Sequence, residues 1–334
     1  MELVVDIALL GFMVMAALAI TRLRDLFAAV MLAGIYSLLC ASFFVLLDAV
    51  DVAFTEAAVG AGISTLLMLT TLALTGRYEK DSPPPRRSIA AMLVVSAAGV
   101  LLAYGLSDIP VFGSADAPAH RHVASYYIES TAQDTGVPNV VTAVLASYRG
   151  FDTFGELVVI FTAGIGVLAL LTMSGTWRDD ENGAVPMPNP MQEQTILRIV
   201  AKILIPLIML FALYVQFHGD YGPGGGFQAG VIFAAAIILY SMLFGHSITE
   251  RVISPRLLRS IAAFGVLLYG GVGVVSLLSG KNFLDYSALS DDPVAGQHLG
   301  ILIIELGVGL TVASVMIVIF SAFSNHKSSG ESAP

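Results

Sequence analysis

Three carboxylates stand alone inside long apolar runs: Glu56, Glu156 and Glu305. A charged group at the bilayer centre costs about 2.5–3.5 kcal/mol on insertion scales, so such residues face a bundle interior, pair with one another or mark an ion path. Each could exchange a proton for a monovalent cation, because desolvation favours the neutral acid and a nearby cation favours the carboxylate. The plainer reading of each is a hydrogen bond within the bundle, or a side chain snorkelling to the interface. Asp152 lies four residues before Glu156, on the same helix face. Two acids there cannot both ionise cheaply: one stays protonated, a cation sits between them, or Arg149 compensates. Alternatively, Asp152 caps the helix start and pairs with Arg149. Lys202 lies about two turns inside its run, as a proton relay or a snorkelling side chain. His218 and Asp220 flank a glycine run, where they organise a turn or face a partner. His120 and His122 beside Arg121 are too few ligands for a metal site.

The elements that must position these groups are long apolar helices. The chain has 334 residues, 56% hydrophobic and 12% charged, against about 25% charged in a soluble domain. Apolar runs near 3–21, 25–47, 51–75, 88–106, 152–173, 196–217, 225–245, 257–279 and 298–322 each have the length of a bilayer span. The expected fold is therefore all-α, a polytopic membrane protein of about nine transmembrane helices. Glu56, Glu156 and Glu305 then lie roughly 5–11 Å inside the outer ends of their helices, as an acidic layer. With the N-terminus outside, every one of the 16 basic residues except Arg121, Arg149 and Lys281 falls on or near the cytoplasmic side. The C-terminus then lies in the cytoplasm. Asp6 interrupts the first run, and no basic segment precedes it, so no signal peptide is expected.

Linkers at 77–87, 107–150 and 175–195 divide the helices into three, two and four, and 324–334 is a Ser-rich tail. Within the long outer segment, 138–148 reads as a short helix whose Val140, Val141, Val144, Leu145 and Tyr148 make an apolar stripe. No internal repeat is evident, so the inverted architecture of many secondary transporters is not expected. A net charge of −9 argues against a nucleic-acid partner. The single cysteine, Cys40, cannot form an intrachain disulfide. With no cysteine cluster, no axial histidine pair and no nucleotide motif, no cofactor is expected.

The glycine run is Pro223-Gly224-Gly225-Gly226-Phe227-Gln228-Ala229-Gly230. Phe227-Gln228 replaces the Lys-Ser/Thr of a P-loop, so the run reads as a tight turn into a membrane helix. Gly226, Gly230 and Ala234 follow at four-residue spacing, a face that admits another helix closely.

The run HGDYGPGGGFQAGVIFAAA at 218–236 resembles the signature of the MnhB/MrpB-type subunits of the Mrp-type multisubunit sodium/proton antiporters, with Ala229 where glycine is frequent. DVAFTEAAVGAG at 51–62 resembles a helix of the domain that ends the large MrpA-type subunit, which membrane-bound hydrogenases carry as a separate protein. RGFDTFGELVVI at 149–160 resembles the last helix of that same tail. The resemblance implies three units: 1–80 and 81–185 like the MrpA-type tail without its proton-channel domain, and 186–334 like MnhB. It implies a plasma-membrane component of a cation/proton antiporter complex, without a catalytic site of its own. Its partners would be large antiporter-like subunits, small C-, E-, F- and G-type subunits, Na+, H+ and lipid, with sodium near Glu56 and Glu156. The alternative is the membrane arm of a hydrogenase or another complex I-related pump.

Overall fold

The structure is a computed structural model that describes residues 2–79, 85–111, 113–173 and 195–325. Lys80, Pro83, Pro84, Arg178, Lys327, most of the 175–195 linker and the tail beyond 325 lie outside the described residues. The described residues hold nine helices long and apolar enough to cross a membrane. The chain is an all-α, multi-pass membrane protein.

The first hairpin is α1 (Glu2–Ile20) and α2 (Leu26–Leu46). Asp25 caps α2, accepting from the backbone N–H groups of Phe27 and Ala28. The same carboxylate takes two nitrogens of the Arg77 guanidinium, with Nη2 to Oδ2 at 2.7 Å. Hydrogen bonds from Arg77 hold the Asp25 carboxyl below the usual carboxylate range. The third span begins as α3 (Val50–Glu56), passes through a π-helical stretch at Ala57–Ser64 and ends as α4 (Thr65–Thr75). The π turn widens the helix immediately after Glu56, a distortion that the apolar pattern does not reveal.

α5 (Pro85–Leu106) is exposed along its described side chains. After a single turn at Pro118–Arg121 come two short helices, α6 (Ala124–Thr135) and α7 (Val140–Ala143), and α7 runs into a second π turn at Val144–Tyr148. Tyr126 and Tyr148 both donate to Asp134. Burial pushes the Tyr148 hydroxyl up to about 12.

The remaining spans are α8 (Gly150–Met173), α9 (Thr195–His218), α10 (Gly226–Phe244), α11 (Pro255–Leu278) and α12 (Pro293–Asn325). α10 and α12 are the most enclosed spans. Gly226, Gly230 and Ala234 supply their contact: a Cβ on Gly230 would lie 2.8 Å from the Gly309 carbonyl oxygen, and Ala234 is fully buried. Small residues let the two backbones approach.

α12 begins five residues earlier than the apolar run at 298–322 suggests. Pro293 sits in its first turn, and Asp292 accepts from the Val294 N–H at 3.1 Å. Its 33 residues span roughly 50 Å, more than the ~30 Å of bilayer hydrocarbon. Glu305 therefore lies about 18 Å from the helix start, not in the first 5–11 Å. The extra turns pack on the buried Tyr286, against which Gly300 leaves no room for a side chain.

Candidate functional site

The glycine loop joins α9 to α10 and folds back on the end of α9. The N–H of Gly225 donates to the Val215 carbonyl at 3.0 Å, and those of Tyr221 and Gly222 donate to the His218 carbonyl. Gly225 has φ +102° and ψ −178°, a region open essentially to glycine alone. The reason for glycine here is Glu305 on α12. A Cβ on Gly219 or Gly225 would lie 3.2 or 3.0 Å from a Glu305 carboxylate oxygen, and one on Gly226 would run into the Glu305 backbone carbonyl. Two bare backbone segments thus wrap one carboxylate.

That carboxylate lines a cavity of about 250 Å³. Asp51 and Thr55 of α3, Glu156 of α8, Gln228 of α10 and Tyr269 of α11 share its wall. Gln228 Nε2 donates to Thr55 Oγ1 at 2.7 Å, tying α10 to α3. The Tyr269 hydroxyl donates to the Gly150 carbonyl at 2.7 Å, setting the start of α8 and hence the place of Glu156. The Tyr286 hydroxyl donates to the Ala146 carbonyl at 2.8 Å, and burial raises its pKa, so it stays a neutral donor.

Asn139 joins three parts of this site. Its Oδ1 caps α7 by accepting from the N–H groups of Val141 and Thr142. Its Nδ2 donates to the carbonyls of Gly219 and Gly222, at 3.2 and 3.0 Å, and to Asp51 Oδ1 at 3.3 Å. Thr142 adds a second donor to Gly219, and His298 of α12 meets Asp220 at 2.8 Å. The loop is clamped from outside while it wraps Glu305 from within.

The acids singled out from sequence separate into groups. Glu156 and Glu305 come together at the cavity. Glu56 instead lies against Gly60 and Ser37, at the α2 side of its helix and at the start of the π turn. Asp152 forms an ion pair with Arg149 at 2.5 Å in the first turn of α8. Lys202 is exposed, with its ammonium 5.9 Å from the centroid of the Phe244 ring. It stands 17 residues before Gly219, about 25 Å along α9 and at the far end of the bundle from Glu305. Of the turn residues, Pro223 and Gly224 shape the loop, and Gly226, Phe227 and Gly230 open α10. Sequence reading passed over Asp51, Asn139 and Gln228. Asp51 and Gln228 sat inside the two conspicuous runs, and Asn139 carried the signal of a polar cap before an apolar stripe. Among the described residues, no three His, Cys, Asp or Glu side chains gather closely enough to hold a metal ion.

Comparison with known proteins gives these elements a context. Residues 196–318 match a domain related to the MnhB subunit of Na+/H+ antiporters. Residues 11–77 match the MbhD family and residues 86–181 the MbhE family, two subunits of MBH. The putative antiporter protein mnhB2 of Staphylococcus haemolyticus is 35% identical over 141 residues, which cover 41% of this chain and 99% of that protein. The chain belongs to the MnhB family of antiporter subunits. Its three consecutive matches make it an A/B-type fusion. A probable K(+)/H(+) antiporter protein of the same A/B type, from Rhizobium meliloti, is 26% identical over 334 residues and covers 91% of this chain. The MnhB-family chain spans 32% of that relative. It also superposes on a chain of the Mrp complex from Dietzia sp., with TM-score 0.72, 26% identity and 98% of this chain covered, and spans 35% of that chain. The cavity lies where the three matched regions meet: Asp51 comes from the first, Glu156 from the second, Gln228 and Glu305 from the third.

Proposed function

We propose that this chain is a membrane component of an Mrp-type monovalent cation/proton antiporter complex, and that the cavity between Glu156 and Glu305 is part of the ion path. The observation that carries the reading is that three acids, one from each matched region, line a single cavity. A carboxylate facing such a cavity can hold a proton or a cation but rarely both, and that exchange is the coupling an antiporter needs. Glu56, beside its π turn, is a further station of the same path. Asp152 and Arg149 fix the start of α8, and Lys202 marks the cytoplasmic end.

The family description supplies Na+ as the cation, and the Rhizobium relative's name supplies K+. The units are 1–80, 81–185 and 186–334, in the plasma membrane, with the N-terminus outside and the C-terminus cytoplasmic. The partners are large antiporter-like subunits and small C-, E-, F- and G-type subunits. The test is proton flux driven by Na+ or K+ in vesicles holding the whole complex. Glu156→Gln and Glu305→Gln keep volume but remove titration, so both should assemble and lose most of the flux, with Asp variants retaining part. Full flux in both Gln variants would return the two acids to a structural role.

A further inference from the structure

A second cavity, of about 280 Å³, lies on the other side of α12. Neighbouring residues divide the two spaces: Glu305 and Val308 face the acidic cavity, Leu306 and Gly309 face the second one. It is a slot between α9, α10, α11 and α12, with mostly hydrocarbon walls that include Leu213, Phe233 and Leu258. α12 borders it from Leu306 to Ile317, about 17 Å of helix rise. The slot therefore runs along the bundle as a narrow channel.

Gln216 stands at the upper end of this slot. It is 9% exposed and makes no hydrogen bond with any described residue, and its Oε1 lies against Gly309 on the slot wall. Its amide opens into this hydrocarbon-walled space without a protein partner, and a polar group that meets only hydrocarbon there is costly. Water does not answer the need, since a stable buried water requires two to four polar partners. What fits is a molecule with a long hydrocarbon part and a hydrogen-bonding group at one end. Gln216 lies in the last turn of α9, near the end of the span, where the bilayer changes from hydrocarbon to its polar interface.

We propose that this slot binds one acyl chain of a membrane phospholipid, with the Gln216 amide hydrogen-bonded to the ester group at the chain's head. The lipid fills the hydrocarbon space and pairs the amide. It also braces α9 against α12 one helix face away from Glu305, so the back wall of the acidic cavity rests on it.

The experiment uses a phosphatidylethanolamine carrying a diazirine in mid-chain. The whole complex is reconstituted with this probe in vesicles of phosphatidylethanolamine and phosphatidylglycerol, extracted in mild detergent, washed, and then photolysed. Adducts are mapped by mass spectrometry. Lipid held in the slot should survive washing and label peptides containing Leu213 and Ala313, while labelling of the exposed α5 disappears. Ala313→Trp, which fills the slot, should cut the retained labelling several-fold, and Gln216→Leu should weaken it with no loss of assembly. If Ala313→Trp does not assemble, Leu213→Trp at the rim blocks the slot from α9 and gives the same reading. The proposal is overturned if washed complex shows no more label in the slot than on α5. It is equally overturned if the Trp variants leave labelling unchanged. None of these readouts depends on transport, so they stand apart from the test of the ion path.

Discussion

Replacing Gly225 by alanine tests whether the loop exists to hold Glu305. The residue sits at φ +102° and ψ −178°, where a side chain costs about 1–3 kcal/mol in backbone strain. The new Cβ would stand 3.0 Å from Glu305 Oε1 and 3.5 Å from its carboxyl carbon, so the carboxylate must move or the loop must open. Overpacking of this kind adds about 1–3 kcal/mol, giving a total of roughly 2–6 kcal/mol. Gly11→Ala in α1 is the control: nothing lies within 4 Å of its Cβ, and alanine gains about 1 kcal/mol of helix propensity. The assay is thermal unfolding of the purified complex beside Na+- and K+-driven proton flux in vesicles. Gly225→Ala should lower the unfolding temperature clearly, and whatever complex still assembles should lose flux out of proportion to its amount. Gly11→Ala should be neutral or slightly stabilising. If Gly225→Ala matched wild type in both measurements, the claim that bare backbone is needed around Glu305 would fail.

Other expectations follow from the same contacts. Asn139→Ala removes a cap worth about 1 kcal/mol and takes the side-chain donor from the Gly222 carbonyl, while Thr142 still serves Gly219, for a loss of about 2–4 kcal/mol in unfolding of the complex. Asn139→Asp restores the cap but not the donor, so it should recover only part. Glu56→Gln should reduce flux with a pH and cation dependence different from that of Glu305→Gln, because the two acids lie in separate surroundings; identical profiles would point to a shared site. The Asp25 carboxyl sits below its ordinary pKa because of Arg77. Its contribution is therefore complete above that ordinary value, near 4, and is lost as pH falls through the lower folded value. Arg77→Gln should abolish this acid sensitivity, read as protease cleavage near Tyr78 against pH. Finally, a cysteine at Ala115 in a Cys40→Ala background should react with an impermeant reagent from outside, and one at Arg256 should not.

The number and kind of helices were legible in the sequence because bilayer thickness sets a length that hydropathy can count. The nine apolar runs agree with the nine candidate spans among the described residues, down to their order. The glycine run was legible too, since its composition admits few conformations, and its Gly226–Gly230–Ala234 face meets α12 as small-residue spacing suggests. What only the tertiary structure decided is who meets whom. Nothing local in α12 links Glu305 to a loop some 80 residues earlier, and a carboxylate in an apolar run looks alike whether it faces lipid, a neighbour or a cavity. The start of α12 was misplaced because its first turns are held by Asp292 and Tyr286 and not by hydropathy. The π turn after Glu56 was invisible because one extra residue per turn leaves composition unchanged. Asp51, Asn139 and Gln228 acquire their roles from partners far along the chain: Asn139 bonds a residue 88 positions away, and Gln228 one 173 away. Periodicity reports which face of a helix is apolar. The identity of the surface that covers that face is a property of the folded bundle.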